Sequence, residues 1–224
     1  MTSTPEGPHG YTLWAVFSGE GESPRTLPAA ARFDDAVAAI ALDGVVLRGI
    51  YDVSGMREDA DLMLWLHGPV LEDLQRGLRV LRRTSLLAGL ERTWSAVGVH
   101  RPAEFSANHV PAFLRDTQPL GWLTVYPFVR SYDWYLLPAE ERGAMLRDHG
   151  VKARDYPGVQ ANTVASFALG DYEWLLAFEA ADPTELVDLM RHLRDTEARR
   201  HVREEIPFFT GRRITAAEAV EVLS

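Results

Sequence analysis

The sequence predicts an α+β fold made of two ferredoxin-like βαββαβ repeats with antiparallel sheets, of the dimeric α+β barrel type. Three observations carry this expectation. One order of strand-like and helix-like stretches runs through the chain twice. In each half the two helical stretches suffice to cover only one face of the four-stranded sheet. Between the halves lies a long segment, roughly RPAEFSANHVPAFLRDTQPLG, whose Pro102, Pro111 and Pro119 suit a connection better than the interior of an element.

The first half reads as strand YTLWAVF, helix AAARFDDAVAAIAL, strands VVLRGIYDV and ADLMLWLHG, helix LEDLQRGLRVLRRT and strand TWSAVGVHR. The second repeats the order with WLTVYPFVR, PAEERGAMLRDHG, ANTVASFAL, YEWLLAFEA, PTELVDLMRHLRDTEARR and a short apolar segment around IPFFTG. The expected divisions are an N-terminal half over 1–105, a linker over 106–121 and a C-terminal half over 122–224. The sheet faces that the helices leave uncovered are apolar enough to need a partner, so they should pack on each other or enclose a ligand.

Composition narrows the chemistry. The absence of cysteine excludes disulfides, iron–sulfur ligation and cysteine nucleophiles, so any metal must rest on His, Asp or Glu. A net charge of −9 without a basic segment argues against nucleic acid as a partner. No apolar run is long enough for a transmembrane segment, and the polar opening MTSTPEGPHG lacks the pattern of a signal peptide; a cytoplasmic location is expected. Nearly all positive charge is arginine, the side chain suited to bidentate carboxylate binding.

None of the seven histidines has the spacing of a paired metal motif, which leaves single-histidine ligation of the kind that haem iron accepts. His149 ends a helix that opens at Pro138 with Glu140 and Glu141 and is expected to close at Gly150; it falls on the stripe of Met145 and Leu146. It reads either as a ligand or as a cap histidine near a helix C-terminus. His109 in the linker is either solvated or, facing a pocket, an acid–base group near neutral pH.

Strand alternation places Trp122, Thr124, Tyr126, Phe128 and Arg130 on one face and Leu123, Val125 and Val129 on the other. The aliphatic set is expected to be the helix-covered core and the aromatic set the open face. Tyr126 and Arg130 would then lie about 13 Å apart at about 3.3 Å per residue, a span suited to a flat ligand of porphyrin width. Pro127 cannot donate to a ladder and implies an edge or a bulge. Trp134 and Tyr135 are expected to staple the next helix. Ala161, Thr163 and Ala165 make one side of a strand small, which leaves room for a ligand or for tight packing. Leu186, Leu189, Met190 and Leu193 form a buried helical stripe with Arg194 at its border, whereas Arg199 and Arg200 are expected in solvent.

The strings RPAEFSANHVPAFL, VYPFVRSYDWYLLP, MLRDHG, ANTVASFALGDYEW and HVREEIPFFTGRR, in that order from about Gly10 to Arg213, resemble the actinobacterial branch of the coproheme decarboxylases, in the chlorite-dismutase-like superfamily. The resemblance implies a homopentamer that binds iron-coproporphyrin III (coproheme) in its C-terminal half. With hydrogen peroxide it converts two propionates in turn to vinyls, releasing carbon dioxide and leaving haem b. The tyrosine of the family's Tyr-Pro motif, the radical that attacks the propionate, corresponds to Tyr126. The proximal iron ligand corresponds to His149 and the distal histidine of this branch to His109. Arg130 stands where relatives carry a basic residue, and Arg194 matches a propionate-anchoring arginine.

Where chlorite dismutases place a distal arginine, Ala161 aligns, or Asn162 if the register slips by one. Neither supplies an arginine, which weakens a chlorite-decomposing reading and leaves His109 as the evident distal base. The alternatives are a haem b peroxidase or chlorite-decomposing enzyme, and a haem-binding protein without turnover.

Overall fold

The computed structural model describes residues 10–19, 26–101, 110–115 and 117–224; His109 and most of the connecting segment lie outside the described residues. The chain divides into two compact units, residues 1–101 with 214–224, and residues 102–213.

The first unit carries β1 (Tyr11–Ser18), α1 (Leu27–Ala41), β2 (Val46–Arg57), β3 (Ala60–Gly68), α2 (Leu71–Arg82) and β4 (Glu91–Val99). This is the expected βαββαβ order, with β1 antiparallel to β3 and β4, and β2 antiparallel to β3. Alternation turns Leu13, Ala15 and Phe17 of β1 and Leu62, Leu64 and Leu66 of β3 into one core with Phe33, Ile40, Leu74, Leu78 and Leu81 from the helices. A Gly77 Cβ would lie 3.2 Å from Val45 Cγ1, so α2 owes its close approach to that glycine.

The second unit repeats the order with β5 (Trp122–Arg130), α3 (Ala139–Ala153), β6 (Gln160–Ala165), β7 (Trp174–Ala180) and α4 (Pro183–Arg194), followed by β8 (Val202–Glu204) and β9 (Phe209–Ile214). Strand β7 lies antiparallel between β6 and β5. The other edge of β5 is shared: β9 pairs with Trp122 to Val125 and β8 with Val129 and Arg130. Pro127, which has no N–H, falls in the gap between those two pairings, which is where a proline is tolerated.

Several expectations need correction. The last helix, α5 (Ala216–Val222), opens on a capping box between Thr215 and Glu218 and contributes Ala216 and Ala219 to the first unit's core, so the C-terminal half does not extend to residue 224. Gly150 lies within α3, which continues to Ala153. The helix-covered face of the C-terminal sheet is the aromatic one: Leu186, Leu189 and Leu193 of α4 pack with Tyr126, Phe178 and Ala180. Alternation fixes which residues share a face but carries no information on which side the helices settle.

The opposite face holds Leu123 and Val125, both fully buried, and a polar pair also without exposure. Asn162 Oδ1 accepts from the Phe113 N–H at 2.9 Å, its Nδ2 donates to Glu179 Oε1 at 3.2 Å, and Glu179 Oε2 accepts from the Leu120 N–H at 3.1 Å. The segment entering β5 is thereby fastened to that face through buried, satisfied polar groups.

Candidate functional site

A cavity of about 210 Å³ lies between the aromatic face of the C-terminal sheet and helices α3 and α4. Strand β5 contributes Tyr126, Phe128 and Arg130, which alternation puts on one side. Helix α3 brings Leu146 and His149, three apart on one helical face, and α4 adds Met190, Leu193 and Arg194. The stretch after α4 supplies Arg199 and Glu205. Tyr126, His149, Arg130 and Arg194 are thus brought together in one cavity.

Ala161 does not line the cavity. It shares the face of Tyr126 but packs into the apolar cluster of Phe178 and α4, while Thr163, one strand pair along, forms the wall. Asn162 points to the other face, so neither aligned position is a cavity residue. Arg199 also departs from expectation, since it lines the cavity; Arg200 is exposed and pairs with Glu197.

Tyr126 is only 4% exposed. Its ring stacks on Phe208, with centroids 4.3 Å apart, and its hydroxyl meets the Met190 thioether at 3.5 Å. Burial raises the phenol's pKa, the Glu205 carboxylate adds to the rise, and Arg194 and Arg199 oppose it. The phenol is therefore neutral at physiological pH, and its hydrogen-bond partner among the described residues is a weak acceptor.

His149 has its pKa lowered, chiefly by burial and then by the Arg130 charge, so the imidazole is neutral. Its Nδ1 is buried without a hydrogen-bond partner among the described residues, an unusual and costly state for a buried ring nitrogen. Among the described residues no three His, Cys, Asp or Glu side chains gather as a multidentate metal site. A single neutral imidazole in an apolar wall is what axial ligation of a porphyrin iron requires.

Arg130 is held by aromatic faces, its guanidinium carbon 4.1 Å from the Trp134 ring centre and 4.8 Å from that of Phe128. Burial draws its pKa down to about 10, which leaves it cationic at neutral pH. No carboxylate lies within ion-pair distance of it among the described residues; Glu173 instead accepts from the Arg130 backbone N–H at 2.8 Å and from the Tyr135 hydroxyl at 2.9 Å. Trp134 is buried against Arg130 and His201, where it steadies the arginine. Tyr135 bonds Glu173 and Trp174, and the exposed Tyr132 packs under Arg203.

Arg194 and Arg199 both donate to the same oxygen, Oε2, of Glu205. Glu205 had no distinctive spacing in the sequence, and only the fold brings it to the site, whereas Thr163 lies on the small side of its strand that the sequence marked as room for a ligand.

Fold and cavity define an α+β protein with a one-histidine, arginine-edged pocket on the helix side of its C-terminal sheet. The defining pattern of the chlorite dismutase family matches residues 27–214. A coproheme decarboxylase from Mycolicibacterium smegmatis is 56% identical over 181 residues, spanning 80% of this chain and 78% of that protein. One from Staphylococcus carnosus is 26% identical over 195 residues, with the same coverage of 80% and 78%. The crystal structure of a mutant chlorite dismutase from Candidatus Nitrospira defluvii superposes with a TM-score of 0.82 at 23% identity, covering 96% of this chain and 95% of that one, a likeness that concerns the fold. The chain belongs to the chlorite dismutase family and, by its identity to the first of these relatives, to the coproheme decarboxylases within it.

Proposed function

We propose that this protein converts iron-coproporphyrin III to haem b by oxidative decarboxylation of two propionates in turn, with hydrogen peroxide as oxidant. The observation that carries the reading is a single cavity bringing a buried neutral phenol, a buried neutral imidazole and cationic arginines together. The similarity to named coproheme decarboxylases supports it.

The residues fit such a ligand. His149 holds the iron through a neutral imidazole, and Leu146, Leu176 and Leu193 supply an apolar wall for the macrocycle. Arg130 and Arg194 meet substrate carboxylates, for which guanidinium geometry is suited. Iron in the bound substrate supplies the redox chemistry, reducing peroxide and passing on the oxidising equivalents. Tyr126 cannot act as a phenolate with its pKa raised, so it loses its electron and proton together and then takes a hydrogen from the propionate carbon next to the ring. Carbon dioxide leaves as the second electron is removed. For each propionate, one hydrogen peroxide and one proton are consumed, and two waters and one carbon dioxide are released with a vinyl left on the ring.

His109 is assigned as the distal base by its motif. A chlorite-decomposing reading lacks its arginine, because β6 turns Thr163 to the cavity. A cytoplasmic homopentamer is the assembly that the family resemblance supports; no described helix is long and apolar enough to cross a membrane.

Titration with iron-coproporphyrin III, read by the Soret band and by electron paramagnetic resonance, tests the binding half of this reading. The wild-type protein should show an imidazole-ligated ferric iron and His149→Ala should not. Identical spectra for the two would move the iron ligand elsewhere.

A further inference from the structure

Glu205 has a side chain only 14% exposed, held between the guanidiniums of Arg194 and Arg199, whose side chains are 39% and 42% exposed. Both arginines direct Nη1 at one carboxylate oxygen, Oε2, and neither guanidinium makes another hydrogen bond among the described residues. Two guanidiniums present ten N–H donors in all, so most of this pair's donors remain for a ligand. The three side chains also line the reaction cavity with Tyr126. Their charges act on the phenol, Glu205 raising its pKa and the arginines lowering it. A carboxylate in the place of the Glu205 headgroup would therefore lie beside the group proposed to abstract hydrogen.

Glu205 also has somewhere to go. It borders a second, outward cavity of about 380 Å³, whose walls include Arg203, Ile206 and Phe208 together with Arg194 and Arg199. Moving the carboxylate from the inner to the outer space takes it out of the cavity it shares with Tyr126 and toward Arg203, while Arg194 and Arg199 border both spaces.

We propose that Glu205 is a specificity-determining residue, an internal stand-in for the substrate carboxylate that is to be removed. In the free protein it holds Arg194 and Arg199 in place. The reactive propionate of the substrate displaces it from the arginines. Once that propionate has become a vinyl, which accepts no hydrogen bond from a guanidinium, Glu205 returns to the pair. The protein thereby distinguishes substrate from product by a carboxylate that competes with the first and has nothing to compete with in the second. This rests on the coproheme decarboxylase reading.

The test compares equilibrium binding of iron-coproporphyrin III and of haem b to wild type and Glu205→Gln, each read by Soret titration without peroxide. Without the competing charge, the tetracarboxylate should bind roughly tenfold or more tightly. Haem b, with no carboxylate at this position, should change by less than about twofold. Equal tightening of both ligands, no change in either, or weaker binding of iron-coproporphyrin III would overturn the proposal. If the glutamine variant does not fold, Glu205→Asp serves in its place, expected to shift substrate binding selectively and by less; no selective shift overturns the proposal. Failure of the underlying functional reading looks different, since wild-type protein would then give no Soret change with iron-coproporphyrin III.

Discussion

Arg130 rests on the face of Trp134, 4.1 Å from the ring centre, and that contact fixes in the cavity a cation that has no ion-pair partner among the described residues. Trp134 is in turn buried beside His201, whose Nδ1 lies 3.0 Å from the Ser131 hydroxyl. The arrangement keeps a guanidinium fork oriented while leaving its N–H groups to a ligand.

Arg130→Ala should weaken binding of iron-coproporphyrin III by about tenfold to a hundredfold, the range for losing a hydrogen bond to a charged group. Arg130→Lys retains the charge but not the planar stacking, so its affinity should fall between those of the alanine variant and wild type. Soret titration reads both. Wild-type affinity in Arg130→Ala would remove this residue from carboxylate binding.

The Asn162 side chain is fully buried and joins the Phe113 N–H to Glu179. Asn162→Ala removes a buried acceptor of the Phe113 N–H and a donor to the Glu179 carboxylate, which should destabilise the fold by about 1–3 kcal/mol in urea unfolding. An unchanged midpoint would mean that the network contributes nothing to stability.

The first unit contains a histidine whose titration tests burial without involving the cavity. Burial, aided by the Arg48 charge, pushes the pKa of His67 down to about 4. Below the ordinary histidine value of about 6.5, the unfolded chain takes up a proton that the folded protein refuses until about pH 4. Stability therefore falls as pH drops through that window, by at most about 3 kcal/mol from this group. Urea unfolding at about pH 7.5 and about pH 5 should show a smaller loss for His67→Gln than for wild type. Equal losses would show that His67 protonates as readily folded as unfolded.

Much of this architecture was legible in the sequence, and what was hidden has identifiable causes. Strand and helix order could be read because period-2 and period-3.6 patterns alternate cleanly, as in WLTVYPFVR and PTELVDLMRHLR. The grouping of Tyr126 with Arg130 followed from the same alternation. The side the helices cover did not, because both faces of β5 are apolar and buried. Gly150 reads as a helix stop, but it does not take the left-handed φ with which a glycine ends a helix, so α3 runs on to Ala153. Strand β6 stops at Ala165, earlier than its composition suggests, because the chain turns back, with Ser166 N–H donating to Glu173 O and Ala168 at φ 62°. Arg199 lies in a short 3-10 helix, Glu197–His201, and Glu205 just after β8, elements too short for a period to mark a face, so their meeting at the cavity needed the tertiary fold.

The most direct test of the central claim is mass spectrometry of the porphyrin after iron-coproporphyrin III and hydrogen peroxide are added to wild type and to Tyr126→Phe. The phenylalanine keeps the ring that stacks on Phe208 and loses only the hydroxyl facing Met190, so both proteins should bind the substrate. Wild type should show two successive losses, each of one carbon dioxide and two hydrogens, ending at haem b. Tyr126→Phe should retain the starting mass, with turnover reduced on the order of 10⁴-fold, as when a group acting in the chemical step is deleted. Unchanged substrate mass with the wild-type protein, or completion of both steps by Tyr126→Phe, would contradict the account.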